Sequence, residues 1–225
     1  MSNGRIFVIS DLHGHKEQFF DVLSQGGFSE DDHLYILGDV IDRGPYGIEL
    51  LQYIKKQKNM TLLLGNHEEM MVYSVDCPDE YFEPWLQNGG IPTYSEYVSL
   101  PDEQQKEVMD YLRDLPLYKV VEVNQRKYLL VHAGIPLDHK FTDIDNCISV
   151  AERDDLLWIR ETFLSKDTSH LEFTVVHGHT PTIYYLDEGG ISVKPGKIGL
   201  DCGVFMGNRL GMLCLNDGAQ YYSTL

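Results

Sequence analysis

Side chains that bind metals or phosphate follow short apolar runs at five places in this 225-residue chain. They include carboxylates, imidazoles and a carboxamide, which are common metal ligands, and an arginine, whose guanidinium suits phosphate. Oxygen and imidazole ligands that recur where strands end are typical of a hydrolase that uses two metal ions. The five segments are residues 10–14 (SDLHG), 38–44 (GDVIDRG), 65–68 (GNHE), 131–135 (VHAGI) and 177–181 (HGHTP).

The spacing within these segments predicts how the ligands would converge. In an extended chain residues i and i+2 point to the same side, so Asp11 and His13 can reach one ion from a single strand end. Asp39, Asn66 and His132 each follow an apolar run that predicts a strand. Because ligands gather at the carboxyl edge of open α/β sheets, we expect these side chains to meet there.

The donor types indicate which metals such a site would take. Imidazole, carboxylate and carboxamide donors together suit manganese, iron or zinc, whereas magnesium and calcium prefer shells made only of oxygen. We therefore expect two divalent metal ions, with manganese (Mn2+) as the first choice and iron or zinc as alternatives.

The elements that must position these segments alternate in the first half of the chain. β-Branched and aromatic runs predict strands, and periodic apolar residues predict helices between them. Their βαβαβ order indicates an α/β protein with a parallel sheet and helices packed on it. Strands are predicted at residues 5–10, 34–37 and 61–64, and helices at residues 15–25 and 47–57.

The middle of the chain breaks this alternation. A helix is predicted over residues 68–74, the stretch 77–100 is loop-rich and aromatic, and residues 101–115 predict another helix. Residues 77–115 together therefore predict a cap-like segment of loops and a helix.

From residue 117 the pattern becomes mostly β. A Lys-Pro-Gly sequence at residues 194–196 predicts a hairpin turn. The chain contains no repeat or linker-like tract, so we expect one domain over residues 1–225. Two sheets packed face to face, with helices outside them, would accommodate both halves. The predicted strands are residues 117–123, 127–132, 173–177, 191–193, 197–200 and 209–215.

Charge and cysteine content exclude some functions. The formal net charge of −17 gives an acidic surface that repels nucleic acid and anionic membranes, so we expect neither as a partner. A local positive site must then come from metals and a few arginines. The apolar run at residues 6–9 is too short for a signal peptide, which predicts a cytoplasmic protein. The four cysteines form no CxxC pair, which disfavours a zinc cage or a disulfide framework.

The five segments, in this order, resemble the phosphoprotein phosphatase branch of the calcineurin-like metallophosphoesterases. The resemblance covers roughly residues 5–215 and is strongest to the small bacterial and phage serine/threonine protein phosphatases of the lambda type. It implies the calcineurin-like metallophosphoesterase fold, an α/β sandwich of four layers with two mixed β-sheets face to face and helices outside. Ser10 stands where this branch commonly has glycine, but that position supplies no ligand.

The resemblance also implies a ligand set for two metals. One metal would be held by the first segment, one carboxylate would bridge, and a carboxamide with two imidazoles would hold the second metal. A hydroxide bound to both ions would attack phosphorus directly, without a covalent phosphoenzyme. The residues in these roles are Asp11 and His13 for the first metal, Asp39 for the bridge, and Asn66, His132 and His179 for the second.

The fifth segment offers two histidines, and the resemblance distinguishes them. The ligand of this branch lies in a Gly-His-Thr-Pro frame, which selects His179. His177 lies two residues earlier and would point the same way in a strand. We interpret it as a packed histidine or one that supports a ligand from behind.

Catalysis beyond the metals is assigned through the same resemblance. His67 would protonate the leaving oxygen as a general acid, and Asp42 would orient and charge its imidazole. Arg43 and Arg160, together with Asn66, would bind the substrate phosphate, the arginines through bidentate contacts. Arg160 rests on the tryptophan-containing run at residues 156–160.

The substrate remains open between two enzyme classes. The resemblance favours removal of phosphate from phosphoserine, phosphothreonine and also phosphotyrosine in proteins, so the expected partner is a phosphoprotein or phosphopeptide. The alternative is a symmetrical dinucleoside tetraphosphate (Ap4A) hydrolase, because such enzymes share all five segments and a stretch like WLQNGG at residues 85–90. A scaffold that binds metal without turnover is a third hypothesis, disfavoured because His67, Asp42, Arg43 and every ligand type are present.

Aromatic side chains in the cap-like segment bear on that choice. They could stack on adenine, or they could form a small aromatic core under the cap. The residues concerned are Tyr81, Phe82, Trp85, Tyr94 and Tyr97.

Overall fold

A computed structural model describes residues 4–138 and 140–224, and its strands form two five-stranded sheets. The first sheet has the order β10-β9-β1-β2-β3 and the second has the order β4-β5-β6-β8-β7. The strands are β1 (Ile6–Ile9), β2 (His33–Ile36), β3 (Met60–Leu62), β4 (Tyr118–Val123), β5 (Arg126–Val131), β6 (Thr174–His177), β7 (Ser192–Lys194), β8 (Lys197–Gly199), β9 (Gly211–Cys214) and β10 (Gln220–Tyr222).

Both sheets are mixed. Strands β1, β2 and β3 run parallel, while β9 and β10 add antiparallel edges to the first sheet. In the second sheet β5, β6 and β8 run parallel, and hairpin partners β4 and β7 lie antiparallel on either side. Two groups of parallel strands therefore direct their carboxyl ends out of the sheets.

The helices lie outside the two sheets. They are α1 (Lys16–Gln25), α2 (Gly47–Lys56), α3 (Asn66–Asp76), α4 (Pro78–Trp85), α5 (Ile91–Val98), α6 (Asp102–Arg113), α7 (Ile144–Val150), α8 (Arg153–Trp158) and α9 (Glu161–Leu164). No helix in the described part of the chain is both long enough and apolar enough to span a bilayer.

Strands β1, β6 and β9 are buried on both faces, which explains why they are almost continuously apolar. Val8 points into a core between the sheets, where it packs with Leu130 and Val176 of the second sheet. Its neighbours Phe7 and Ile9 point the other way, into the core beneath helices α1 and α2. A third core joins the outer face of the second sheet to α7, α8 and α9. The predicted four-layer fold of helices, two face-to-face sheets and helices is confirmed.

The prediction of a loop-rich stretch over residues 77–100 is wrong. Helix α4, a π-helical turn at Leu86–Gly90 and helix α5 occupy it. Pro78 and Pro92 occupy first-turn positions, where the missing N–H costs nothing, so these prolines begin helices instead of ending them. Gly89 alone leaves the helical region, at φ 111°, and bends the chain between the two helices.

Other short elements also escaped the sequence patterns. Strand β10 has only three residues at a sheet edge, and helices α7, α8 and α9 have four to seven residues each. Segments this short contain too few periodic positions to produce a pattern of their own. Strand β10 forms by pairing with β9, and the three helices form over the buried core on the outer face of the second sheet.

Asp32 ties the start of β1 to the loop before β2, and it gives a stability prediction. Its buried carboxylate accepts hydrogen bonds from Arg5 and Ser29, at 2.8 to 3.1 Å. Burial opposes ionisation, but these bonds prevail and lower the pKa of Asp32 to about 2. The carboxylate therefore stabilises the fold above its unfolded pKa, near 3.8, and this contribution is lost as the pH falls towards 2.

We expect Asp32→Asn to lower the free energy of unfolding by about 1–3 kcal/mol at neutral pH, because bonds to a charged acceptor are lost. Urea denaturation at pH 7 and again at about pH 3 measures the free energy of unfolding of the variant and of the parent chain. The difference between the two should be smaller at about pH 3. The exposed pair Lys106 and Asp110 provides the control, and Asp110→Asn should leave the curve unchanged. Equal stability of Asp32→Asn and the parent chain at pH 7 would contradict the stabilising role of the Asp32 carboxylate.

Candidate metal and phosphate site

The five sequence segments meet at one edge of the sandwich, where the parallel strands of both sheets end. Asp11 follows β1, Asp39 follows β2, and Asn66 begins α3 just after β3. His132 follows β5 and His179 follows β6 on the second sheet. All five side chains are at least 95% buried, so the sequence prediction of a shared edge is met by the fold.

The backbone at this edge is left-handed, which the extended-strand argument did not foresee. Six of the eight non-glycine residues with positive φ in the described ranges lie in the site, namely Asp11, His13, Asp39, Asp42, Arg43 and His179. Such conformations are uncommon outside glycine and are typical of functional sites. The side chains of Asp11 and His13 therefore reach the site from a strained turn rather than from an extended strand end.

Glu68 holds the second segment against helix α3. Its fully buried carboxylate accepts backbone hydrogen bonds from Gly65 (3.1 Å), Asp39 (2.8 Å), Val40 (2.8 Å) and Ile41 (3.3 Å). Burial raises the pKa of Glu68 to about 7, although the bonds from Asp39, Val40 and Ile41 oppose that rise. A Cβ atom at Gly65 would lie 2.3 Å from Asp39 Oδ1, so only glycine fits here. Glu68 belongs to the segment at residues 65–68, but the residue pattern of that segment did not indicate this role.

One compact group of ligand atoms combines His132, His179 and Asp39. Asn66 Oδ1 lies 2.8 Å from His132 Nε2 and 3.0 Å from His179 Nδ1, and Asp39 Oδ1 lies 3.5 Å from His132 Nε2. His132 Nδ1 is 2.6 Å from the Leu37 carbonyl, which can only accept, so Nδ1 carries the proton.

The lone pair of His132 Nε2 consequently faces the oxygen of Asn66, and both groups are acceptors. Protonation does not relieve this contact, because burial lowers the pKa of His132. A cation held by these atoms would satisfy both of them. The donor set therefore fits a metal ion at Asp39, Asn66, His132 and His179.

A second compact group combines His13, His67 and the same Asp39. Asp39 Oδ2 lies 3.7 Å from His13 Nε2 and 3.9 Å from His67 Nε2. Asp39 thus belongs to both groups, as a bridging carboxylate must. Burial, and then repulsion from the carboxylates of Asp11 and Glu68, raise the pKa of Asp39 well above its usual range. Cations on both sides would favour its ionised form.

Asp11 adjoins the site but is not in either compact group. His179 N donates to its Oδ1 (3.2 Å) and Oδ2 (3.0 Å), and Ser10 Oγ donates to Oδ2. His67 takes the place in the group that the sequence analysis gave to Asp11. Arg43 contacts both imidazoles of that group, because its two terminal nitrogens donate to His13 Nε2 and His67 Nε2, each at 2.9 Å.

Arg43 also rests on an aromatic ring. Its guanidinium carbon lies 4.0 Å from the centre of the Phe205 ring, and the same ring meets His13 edge to face at 5.2 Å. Phe205 had no motif to identify it in the sequence.

His67 and Asp42 form the predicted pair. His67 Nδ1 donates to Asp42 Oδ2 at 2.7 Å, and Trp85 Nε1 donates to the same oxygen at 2.9 Å. Thr93 Oγ1 accepts from the Asp42 backbone at 2.8 Å. Burial lowers the pKa of His67 and raises that of Asp42 to about 7. The imidazole is therefore oriented with Nε2 towards Asp39 and Arg43, and burial disfavours its charged form.

The remaining predicted residues lie on the second-sheet side. Arg160 Nη1 donates to the His179 carbonyl and to Thr180 Oγ1, each at 3.3 Å, so it borders the site. His177 is the last residue of β6 and packs edge to face on Phe163, with ring centres 5.1 Å apart. The left-handed backbone of His179 breaks the strand alternation, and the two histidines point to different places.

Asp201 is a further site residue that the sequence analysis missed. It follows β8, is fully buried, and its Oδ1 accepts from Gly203 N at 2.9 Å. Burial and the nearby Asp11 raise its pKa well above the usual range. The signal was available, because Asp201 is a carboxylate directly after an apolar strand, like Asp11 and Asp39.

The class of protein follows from this fold and from comparison with known proteins. A sequence model of the family described as calcineurin-like phosphoesterase matches residues 4–207. The chain belongs to the calcineurin-like phosphoesterase family, and the resemblance drawn from its motifs is confirmed at that level.

Two curated relatives are similar over different shares of their length. Serine/threonine-protein phosphatase 2 of Salmonella typhimurium is 30% identical over 71% of this chain and 69% of that protein. The symmetrical bis(5'-nucleosyl)-tetraphosphatase of Buchnera aphidicola is 32% identical over 57% of this chain and only 44% of that protein. The chain thus spans less than half of the tetraphosphatase relative.

A solved structure supports the fold alone. It is that of a protein provisionally named a diadenosine tetraphosphatase, with a TM-score of 0.71 and 22% identity. The match covers 98% of this chain and 93% of that chain.

The two histidines of the fifth segment give a prediction about metal content. We expect His179→Ala to lose about one of the two metal ions that the sequence predicts, because His179 supplies a donor beside Asn66 and Asp39. His177→Ala should keep both ions, and its rate of phosphoester hydrolysis should fall by at most about tenfold to a hundredfold. Metal analysis after manganese loading and gel filtration makes the measurement. The opposite ranking would place the ligand at residue 177.

Proposed function

We propose that this chain is a metal-dependent phosphomonoesterase that removes phosphate from phosphoserine and phosphothreonine side chains of proteins. The observation that carries the proposal is the sharing of Asp39 by two ligand groups, with the His67 and Asp42 pair beside them. Two cation sites around one carboxylate, next to a positioned imidazole, suit hydrolysis of a phosphate ester.

Two divalent metal ions would be the cofactors. Asp11, His13 and Asp39 would hold one ion; Asp39 would also hold the other, together with Asn66, His132 and His179. Bound there, the ions supply Lewis acidity, a nucleophile near neutral pH and positive charge for a phosphate dianion. The mixture of imidazole, carboxylate and carboxamide favours manganese, with iron or zinc as alternatives.

The arginines supply the remaining positive charge in a strongly acidic chain. Arg43 and Arg160 border the ligand groups from opposite sides, one through the His13 and His67 rings and one through the His179 backbone. Two guanidinium groups placed in this way suit a tetrahedral phosphate whose oxygens they can bind in pairs. Asn66 would contribute its side-chain amide to the same phosphate.

His67 would give its proton to the leaving oxygen. Its Nδ1 is fixed by Asp42, so Nε2 is the atom that faces the reaction. Arg43 also donates to this Nε2. A phosphate dianion that attracts Arg43 would release Nε2, and the charge on Asp42 would then stabilise the protonated ring.

The aromatic residues of α4 and α5 support a protein substrate. Trp85 is 1% exposed and its indole N–H is used by Asp42, so the WLQNGG stretch serves the His67 pair rather than adenine. Phe82, Trp85 and Tyr94 pack against one another with ring centres 5.0 to 6.4 Å apart. The greater coverage of the serine/threonine phosphatase relative points the same way.

A symmetrical dinucleoside tetraphosphate hydrolase is the second candidate. The identity of 32% to the Buchnera tetraphosphatase favours it, and Tyr81 and Tyr94 each keep 38% of their surface exposed near the aromatic cluster. Stacking of an adenine on either ring is physically reasonable.

A turnover comparison tests both candidates at one manganese concentration. We expect a phosphoserine peptide to be cleaved faster, by kcat/KM, than a phosphotyrosine peptide or diadenosine tetraphosphate. Excess EDTA should abolish turnover of all three, and added manganese should restore most of it. Preference for diadenosine tetraphosphate would transfer the assignment to the second candidate. Full activity in EDTA, with no metal found by analysis, would exclude the dinuclear mechanism.

Leaving-group chemistry tests the role of His67. A serine alkoxide leaves poorly without a proton, so we expect His67→Asn to slow a phosphoserine peptide by about 10²- to 10⁴-fold. p-Nitrophenolate needs no proton, and hydrolysis of p-nitrophenyl phosphate should fall much less while both metals remain bound. Asp42→Asn should show the same asymmetry more weakly, because it only orients and charges the imidazole.

Equal losses on both substrates, with metals retained, would mean that His67 binds phosphate or positions water instead.

A further inference from the structure

A buried carboxylate that no motif singled out connects two sides of the site. Glu69 lies on α3, three residues after Asn66, and only 4% of its surface is exposed. Its Oε2 accepts from Trp158 Nε1 at 2.9 Å, and its Oε1 accepts from Arg153 Nε at 2.5 Å. Both partners belong to α8, on the opposite side of the site, so Glu69 joins the helix that carries Asn66 and His67 to α8.

Trp158 itself stands at the site. Its indole meets the His179 imidazole edge to face, with ring centres 6.1 Å apart. Trp158 is the last residue of α8, and Arg160 follows two residues later as the residue before α9. Because only Ile159 separates Trp158 from Arg160, the position of the Trp158 indole restricts the position of the Arg160 backbone.

The far end of this segment is fixed independently. Lys197 of β8 is 5% exposed, and its ammonium donates to the carbonyls of Phe163 (2.9 Å), Leu164 (2.9 Å) and Lys166 (2.7 Å) at the end of α9. Phe163 packs where a Cβ atom at Gly134 would lie 2.5 Å away. With α9 held at its carboxyl end, Trp158 is the other point that determines the position of Arg160.

We propose that Glu69 is a positioning residue for Arg160: its carboxylate holds the Trp158 indole beside His179 and thereby sets where the Arg160 guanidinium meets the substrate phosphate. This inference rests on the proposed role of Arg160 in binding phosphate. The carboxylate is suited to the task, since it accepts from both Trp158 and Arg153, whereas an amide could accept through one of its two atoms only.

The first test is Glu69→Leu, which removes both acceptor atoms, assayed with p-nitrophenyl phosphate and with inorganic phosphate as inhibitor. We expect the KM and the inhibition constant to rise about tenfold, while kcat and the two bound metals change little. Trp158→Phe removes the same hydrogen bond from the other partner and should give the same pattern. Arg153→Gln is the matched control, because it removes only the partly exposed partner of Glu69, and its KM should stay within about twofold.

Tryptophan fluorescence provides a readout that is independent of turnover. The chain has two tryptophans, and Trp85 is buried, so quenching by acrylamide reports mainly on Trp158. We expect Glu69→Leu to increase this quenching, and Trp158→Phe to remove the quenchable component. Unchanged quenching together with an unchanged KM in Glu69→Leu would overturn the proposal.

The variant Arg160→Gln separates this inference from the proposed function. If Glu69 acts through Arg160, the double variant Glu69→Leu/Arg160→Gln should have a KM within about twofold of Arg160→Gln alone, because coupled residues are not additive. If the increases in KM of the two single variants multiply in the double variant, Glu69 does not act through Arg160, and the inference would be overturned. An Arg160→Gln variant with the parent KM would instead refute the phosphate-binding role of Arg160.

Discussion

The buried carboxylate of Asp39 is the constraint on which the site depends. It is 2% exposed and lies close to the carboxylates of Asp11 and Glu68, so burial and repulsion both oppose its charge. A buried anion persists only where positive charge and hydrogen bonds compensate it. The surrounding groups supply both: His67 N donates to Oδ1, imidazoles face both oxygens, and Arg43 lies beside them. Two divalent cations would complete that compensation.

The sandwich fold makes this concentration of charge tolerable. Strands from both sheets end at one edge, and left-handed residues turn their side chains inward at a cost of roughly 1–3 kcal/mol each. Three apolar cores beneath the edge, one between the sheets and one under each helical layer, hold those turns in place. Glu68 supports the most demanding turn directly, because its carboxylate satisfies the backbone N–H groups around Asp39.

The two helical layers contribute different functional groups. The layer on the first sheet positions His67, since Trp85 and Thr93 of α4 and α5 hold Asp42, and Asp42 holds His67. The layer on the second sheet positions Arg160 through α8 and α9. The site therefore lies where the two layers meet, and the hydrogen bond of Glu69 with Trp158 joins those layers beside it.

The sequence by itself determined the family, the four-layer α/β fold and the edge at which the ligands gather, because apolar runs followed by ligand residues are local signals. Tertiary structure decided what local patterns do not contain. The glycines and prolines of residues 77–100 occur within and between helices, since their neighbours pack on the core. Left-handed turns separate His179 from His177 and turn Asp11 towards the His179 backbone. The contacts of Glu69 with Trp158 and of Phe205 with Arg43 join distant segments, so no spacing along the chain could have revealed them.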